Sequence, residues 1–134
     1  MAIYGVGAYF GDHDVSSDFI KRKIIGIGWS ATDAPDLHEY LKSLKVGDIV
    51  YIKSAPPSGV FTVKAIGIIS SSVILNDVVL PNDSVSIARD VTWIKTKEFV
   101  LKRCVEKNNV KLNSLFEEFN PLVQKCIIKE ILKA

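Results

Sequence analysis

The run Val60-Phe61-Thr62-Val63-Lys64-Ala65-Ile66-Gly67-Ile68-Ile69 constrains this chain more than any other stretch. Phe61, Val63 and Ala65 alternate with Thr62 and Lys64, the period of a strand with one buried face. Gly67 then interrupts the period as a β-bulge does, and a bulge bends the strand that carries it. The pattern predicts a strand over 60–69 in a sheet that curves.

The neighbouring segments supply the rest of that sheet. Residues 2–10, AIYGVGAYF, mix small and aromatic side chains with two glycines and read as a strand that something approaches closely. GDHDVSS follows as a loop. Val15 to Lys21 reads as a short helix, with Val15, Phe19 and Ile20 inward and Ser16 or Ser17 as its cap. KIIGIGWSAT, from Lys23 to Thr32, reads as a second strand. Thr32-Asp33-Ala34-Pro35 opens a helix by a cap oxygen followed by proline. Leu37, Tyr40, Leu41 and Leu44 form its apolar face, with His38 at the surface or rim.

IVYIKS (49–54) is a strand, and Pro56-Pro57-Ser58-Gly59 is a loop because proline donates nothing to a ladder. Short β segments fit 73–80 and 85–95. EFVLKRCV and KLNSLFEEF fit either element type. Asn120-Pro121 starts a last helix whose buried stripe is Leu122, Val123, Cys126, Ile127, Ile131 and Leu132. About six strands with two or three helices predict one α+β domain over 1–134, a strongly curved mixed sheet or partial barrel with flanking helices.

Composition narrows the function classes. With 48% hydrophobic and 24% charged residues, the chain reads as globular rather than disordered. No apolar run is long enough to span a bilayer, so no membrane partner is expected. MAIYGVGAYFGDHD lacks the basic start and apolar core of an export signal. Cys104 and Cys126 are therefore expected as buried free thiols, and the location as cytoplasmic. A net charge of +2 carries no global argument for nucleic acid. The basic residues nevertheless cluster at Lys21-Arg22-Lys23, Lys95-Thr96-Lys97 and Lys102-Arg103, as a solvated face or a local groove.

Enzyme signatures are thin. The sequence has no phosphate loop, serine elbow or cysteine pair at metal spacing, and no cofactor or metal is expected. His13 lies between Asp12 and Asp14, a cluster that could bind a metal or act as a base, but residues adjacent on a loop rarely converge on one point. Among the aromatics, Trp93 and Tyr51 read as packing residues. Trp29, after Gly28 at a strand end, is either a core plug or the floor of a pocket.

The order of motifs GAYFGDHDVSSDFIKRKIIGIGW, VGDIVYIKS, KAIGII and VTW resembles the EVE-like branch of the PUA-like superfamily. The likeness is to the small EVE-type domains of modification-dependent restriction and other prokaryotic defence proteins. Ser58-Gly59-Val60-Phe61 and Gly28-Trp29-Ser30-Ala31-Thr32 are similar to segments of the related YTH domains. The resemblance covers roughly residues 3 to 95, and implies a bent sheet whose loops wall a pocket for a nucleobase, often a modified one.

Carried over by position, the resemblance implies Trp29 as the stacking face and Phe10, or Tyr9, as the aromatic after "GA". Asp12 and Asp14 become acceptors for an exocyclic amine, and Ser30, Lys53 and Ser54 rim residues. Lys21, Arg22 and Lys23 are left for phosphates. Those relatives usually carry a tryptophan where this chain has Ile25, and prolines occupy the loop where YTH-type cages have a second aromatic.

The expected function is a non-enzymatic reader of a modified base in DNA or RNA, or of a free nucleotide, working with a separate effector protein as a monomer or homodimer. Two alternatives stand beside it. One is a hydrolase of modified nucleosides, as in ASCH-type relatives, built on Lys53, Thr62, Lys64 and Asp12. The other is an interaction subunit that docks a partner through helix 121–133.

Overall fold

Four consecutive residues of IVYIKS, Ile49 to Ile52, are buried because both faces of the strand they form are covered. The structure, a computed structural model of the 134-residue chain, describes residues 1–10, 13–54, 61–101 and 114–134. In chain order the elements are β1 (Ile3–Gly7), β2 (Tyr9–Phe10), β3 (His13–Asp14), α1 (Ser16–Arg22), β4 (Ile24–Ile27) and α2 (Pro35–Ser43). They continue with β5 (Ile49–Ser54), β6 (Thr62–Val79), β7 (Ser84–Lys95), β8 (Phe99–Val100), β9 (Leu115–Glu117) and α3 (Pro121–Lys133).

The fold is α+β. Six strands run β4-β7-β6-β5-β1-β9 in one curled, half-barrel sheet, with β8 added on β6. The sheet is mixed, because β1 pairs with β5 in parallel and the other ladders are antiparallel. β2 and β3 pair only with each other, as a small ribbon beside the sheet. No described helix is long and apolar enough to cross a membrane.

Two apolar clusters divide the sheet by its pleat. Val50 and Ile52 face one cluster with Phe19, Leu41, Leu44, Ile25 and Ile87, under α1 and α2. Ile49 and Tyr51 face the other with Val63, Ile66, Phe116, Val123 and Ile127, under α3. The buried Tyr51 hydroxyl donates to a carboxylate oxygen of Glu118. The same carboxylate accepts from the Asn120 amide at 3.1 Å, so the buried acid is satisfied at the entrance of α3.

The strand expected over 60–69 is real and longer. β6 continues through the segment expected as a separate strand at 73–80, with register shifts at Ile66/Gly67 and Ile69/Ile74. Gly67 sits at the first shift. A Cβ there would lie 2.5 Å from Val91 Cγ1 and 2.8 Å from the Thr92 carbonyl oxygen, so β7 crosses this close only over glycine.

Several local expectations are corrected. α1 begins after Val15, and its cap comes from Asp14, whose carboxylate accepts from the Ser16 amide at 2.8 Å. α2 begins after Ala34 with Pro35 in its first turn and no side-chain cap; in the turn before it, Ser30 Oγ accepts from the Asp33 amide at 3.1 Å. Asn120 does cap α3, accepting from the Leu122 amide at 2.9 Å. Val123 and Ile127 form its inward stripe, whereas Leu122 and Leu132 are exposed. The strand expected to reach Thr32 stops at Ile27. Cys126 is disulfide-bonded, not the free thiol expected, a state that an oxidising compartment favours. Cys104, the loop 55–60 and residues 102–113 lie outside the described residues.

The most demanding interaction in the interior belongs to Arg89 of β7, only 1% exposed. Its Nη1 donates to the carbonyls of Leu41 at 3.0 Å and Leu44 at 2.6 Å, and Nη2 to Ser71 at 2.9 Å. The first two lie at the C-terminal end of α2, where a cation is favoured, and the Leu41 carbonyl also accepts from the Leu44 amide at 3.4 Å. The third lies in the irregular part of β6. Arg89→Met fills a similar volume and strands the Leu44 and Ser71 carbonyls, at about 1–3 kcal/mol each where they stay dry. Urea unfolding is expected to show a loss of about 2–6 kcal/mol by that arithmetic. Arg89→Lys, with no fork to span both elements, recovers only part of it.

Candidate aromatic platform

The site begins with the rooms left by the two glycines of Ile25-Gly26-Ile27-Gly28-Trp29, and the protein itself occupies them. A Cβ on Gly26 would lie 2.9 Å from Val85 Cβ and from the Ile87 carbonyl oxygen. A Cβ on Gly28 would meet the Phe10 ring at 3.2 Å. The room beside these glycines is taken by β7 and by Phe10. Phe10, half-buried, also meets Phe19 edge-on at 6.0 Å between ring centroids.

Past Gly28 the chain turns outward. Trp29 is 59% exposed, so its indole is not a core plug. Its backbone, by contrast, is fixed. The Trp29 carbonyl accepts from His38 Nε2 at 2.7 Å and from Ser86 Oγ at 2.5 Å. Ser86 Oγ also lies 3.0 Å from the Ile27 carbonyl oxygen. His38 is buried on α2, not at the surface as expected. It stands three residues before the buried Leu41, and that helical spacing was the available signal. His38 and Ser86 are the positioning groups that the sequence reading missed.

Tyr9, 66% exposed, precedes Phe10 just as Trp29 follows Gly28, so two outward rings flank the Phe10–Gly28 contact. Among the described residues no aromatic ring packs on the Trp29 indole. Ser30 is exposed, next along the loop. The ribbon carrying Tyr9 and Phe10 is tied down at its other strand, since His13 Nε2 lies 2.8 Å from Asp83 Oδ2 and Asp14 lies 3.7 Å from Lys64 Nζ. The Ser84 amide and His13 together hold the Asp83 carboxyl below its ordinary pKa. Asp12 lies outside the described residues, and no group among those described has the ligands for a metal ion.

The remaining expected residues are elsewhere. Lys21, Arg22 and Lys23 are all exposed at the start of β4, while Trp29 lies beyond its end. Trp29 stands six positions after Lys23, a span of roughly 20 Å at most. Lys53 faces the α3 side of the sheet with Val63, its Nζ 5.5 Å from the centre of the Phe116 ring. Ser54, half-buried, pairs with Thr62 and takes the opposite face. Lys53, Thr62 and Lys64 are therefore not convergent. Lys64 is engaged by Glu98 at 3.2 Å as well as by Asp14.

Compared with models of known protein families the chain matches none, and no curated protein matches it.

Two predictions follow from this geometry. In a Trp93→Phe background the remaining indole reports on residue 29. His38→Ala combined with Ser86→Ala is expected to raise its rotational freedom in time-resolved anisotropy, at a stability cost of about 1–3 kcal/mol for the unpartnered carbonyl. The second concerns Lys53, whose pKa burial pushes down to about 8 from an ordinary 10.5. Below about 8 both the folded and unfolded chains hold the proton, and the penalty is constant. Between about 8 and 10.5 only the unfolded chain holds it, so stability rises with pH across that window. Chemical denaturation is expected to show that rise, about 1–3 kcal/mol in all, and Lys53→Met to abolish it.

Proposed function

We propose that this domain is a nucleic-acid reader that takes a base, modified in its natural target, by stacking on Trp29. The observation that carries the reading is the contrast at that residue: a backbone pinned by two buried-side donors and an indole turned to solvent. Ordering a flexible ring costs binding energy, and a ring on a fixed backbone has less of that cost left to meet. A flat aromatic face accepts any base and contributes about 1–3 kcal/mol per stacked base.

Other features support the same reading. Tyr9 offers a second outward ring, and Asp14 a carboxylate on the same ribbon for an exocyclic amine. A methyl group on the base favours the modified form by roughly 0.8 kcal/mol if it is covered. Lys21-Arg22-Lys23, several nucleotides along the strand from Trp29, supply the salt-dependent phosphate contacts. The base comes from a single strand or is turned out of a duplex, because an indole reaches a base face only when the base is unstacked. The likeness to EVE-like domains of the PUA-like superfamily points the same way, including a restriction or defence context in the cytoplasm and a separate effector. Lys53 takes no part in this site.

The test is a panel of short single-stranded oligonucleotides, methylated and unmodified, DNA and RNA, at low and physiological salt. Trp29→Ala is expected to weaken binding by about 5- to 150-fold, the equivalent of one stacked base, while the melting temperature stays within a degree or two because the ring is exposed. Lys21→Glu with Lys23→Glu is expected to flatten the salt dependence. Binding that survives loss of the indole refutes the platform.

A further inference from the structure

The last helix carries a second feature that the base-binding site does not use. Its inward stripe is Val123 and Ile127, and its outward face presents Leu122, Lys125, Lys129 and Leu132. These four positions are spaced three, four and three residues apart, the interval of the seam along which two helices pack. All four are exposed, Leu122 at 54% and Leu132 at 79%, with Ile128 exposed beside them at 45%. Surface leucines scattered singly need no explanation, but leucines closing both ends of a seam are a pattern.

Charge decides what covers it. Lys125 and Lys129 occupy the two central seam positions, and no acid stands among the four seam residues. Glu130, the one acid of the helix, meets Lys95 of the sheet at 2.9 Å through one oxygen and Lys133 at 3.5 Å through the other. Beside the seam, between α3 and β8, lies a groove of about 140 Å³ with Val100, Cys126, Lys129, Glu130 and Lys133 among its walls. A second copy of this chain would set lysine against lysine at the centre of the seam. A nucleic-acid backbone would answer the lysines and leave the leucines bare.

We propose that the outer face of α3 docks an amphipathic helix of a partner protein, with acidic residues opposite Lys125 and Lys129 and apolar ones opposite Leu122 and Leu132. The central lysines set register and partner choice, and the terminal leucines hold the ends. A helix of thirteen residues is about 20 Å long, so this is a small interface of the transient class.

The test uses the whole chain and a synthetic fluorescent helix with glutamates at the two central seam positions and leucines at the outer two. A permuted peptide of identical composition is the control. Anisotropy is expected to show the ordered peptide binding about ten-fold or more tighter than the permuted one. Lys125→Glu with Lys129→Glu should abolish that preference, and Leu132→Ser should reduce binding several-fold. All three positions are exposed, so circular dichroism of the variants should be unchanged. Trp29→Ala should bind the peptide as the parent does, which separates this proposal from the base-binding one. Equal binding of both peptides, or none, overturns it. So does indifference to Leu132→Ser, a lysine-dependent preference for phosphatidylserine vesicles over the peptide, or a dimer in sedimentation that Lys125→Glu dissociates.

Discussion

A single guanidinium holds the architecture in register. Arg89 reaches from the middle of β7 to the last carbonyls of α2 with one nitrogen and to Ser71 of β6 with another. Among the described residues no carboxylate accepts its hydrogen bonds; its charge is met by the negative end of a helix and, without contact, by Asp48 and Asp90. That choice fixes where α2 lies on the sheet. α2 in turn carries His38, and His38 holds the Trp29 carbonyl. The outward indole thus depends, through one helix, on a buried cation about which the surface gives no hint.

The platform is built from filled space rather than from an empty slot. Gly28 makes room for Phe10, Phe10 leans on Phe19, and Phe19 lies in the core with its carbonyl accepting from Trp93 Nε1. This stack braces the ribbon that carries Tyr9 and the loop that carries Trp29 against the same support. What remains for a ligand is the outer surface of two rings on well-held backbone. Recognition of that kind is tolerant of base identity, and its selectivity comes from what the neighbouring groups allow at the base edge.

Much of the fold was legible because it follows from period and punctuation. The β5 strand, the bulge at Gly67 and the Asn120 cap stand where the sequence places them, since each rests on chemistry local to a few residues. The merging of 62–69 with 74–79 into one strand was not legible, because the Ser71 carbonyl between them is held by Arg89, eighteen residues away. The site was legible in part. Trp29 emerged from its glycines, yet the glycines serve the protein's own packing. Lys53 shares a strand motif with rim residues, and the pleat sends it to the other face. The burial of His38 was hinted at by its spacing to Leu41, but its partner Ser86 was not, because a hydrogen bond across 48 residues leaves no trace near Ser86.

The place of β1 has a consequence for how such a chain assembles. Earliest of the strands, it lies inside the sheet, bonded to β5 on one side and to β9 on the other. The β6–β7 hairpin closes from neighbouring residues, whereas Tyr4 must wait for Val50 and then for Glu117. During synthesis β1 is made before both of its partners, so one of its edges stays bare until β5 follows and the other until β9 does.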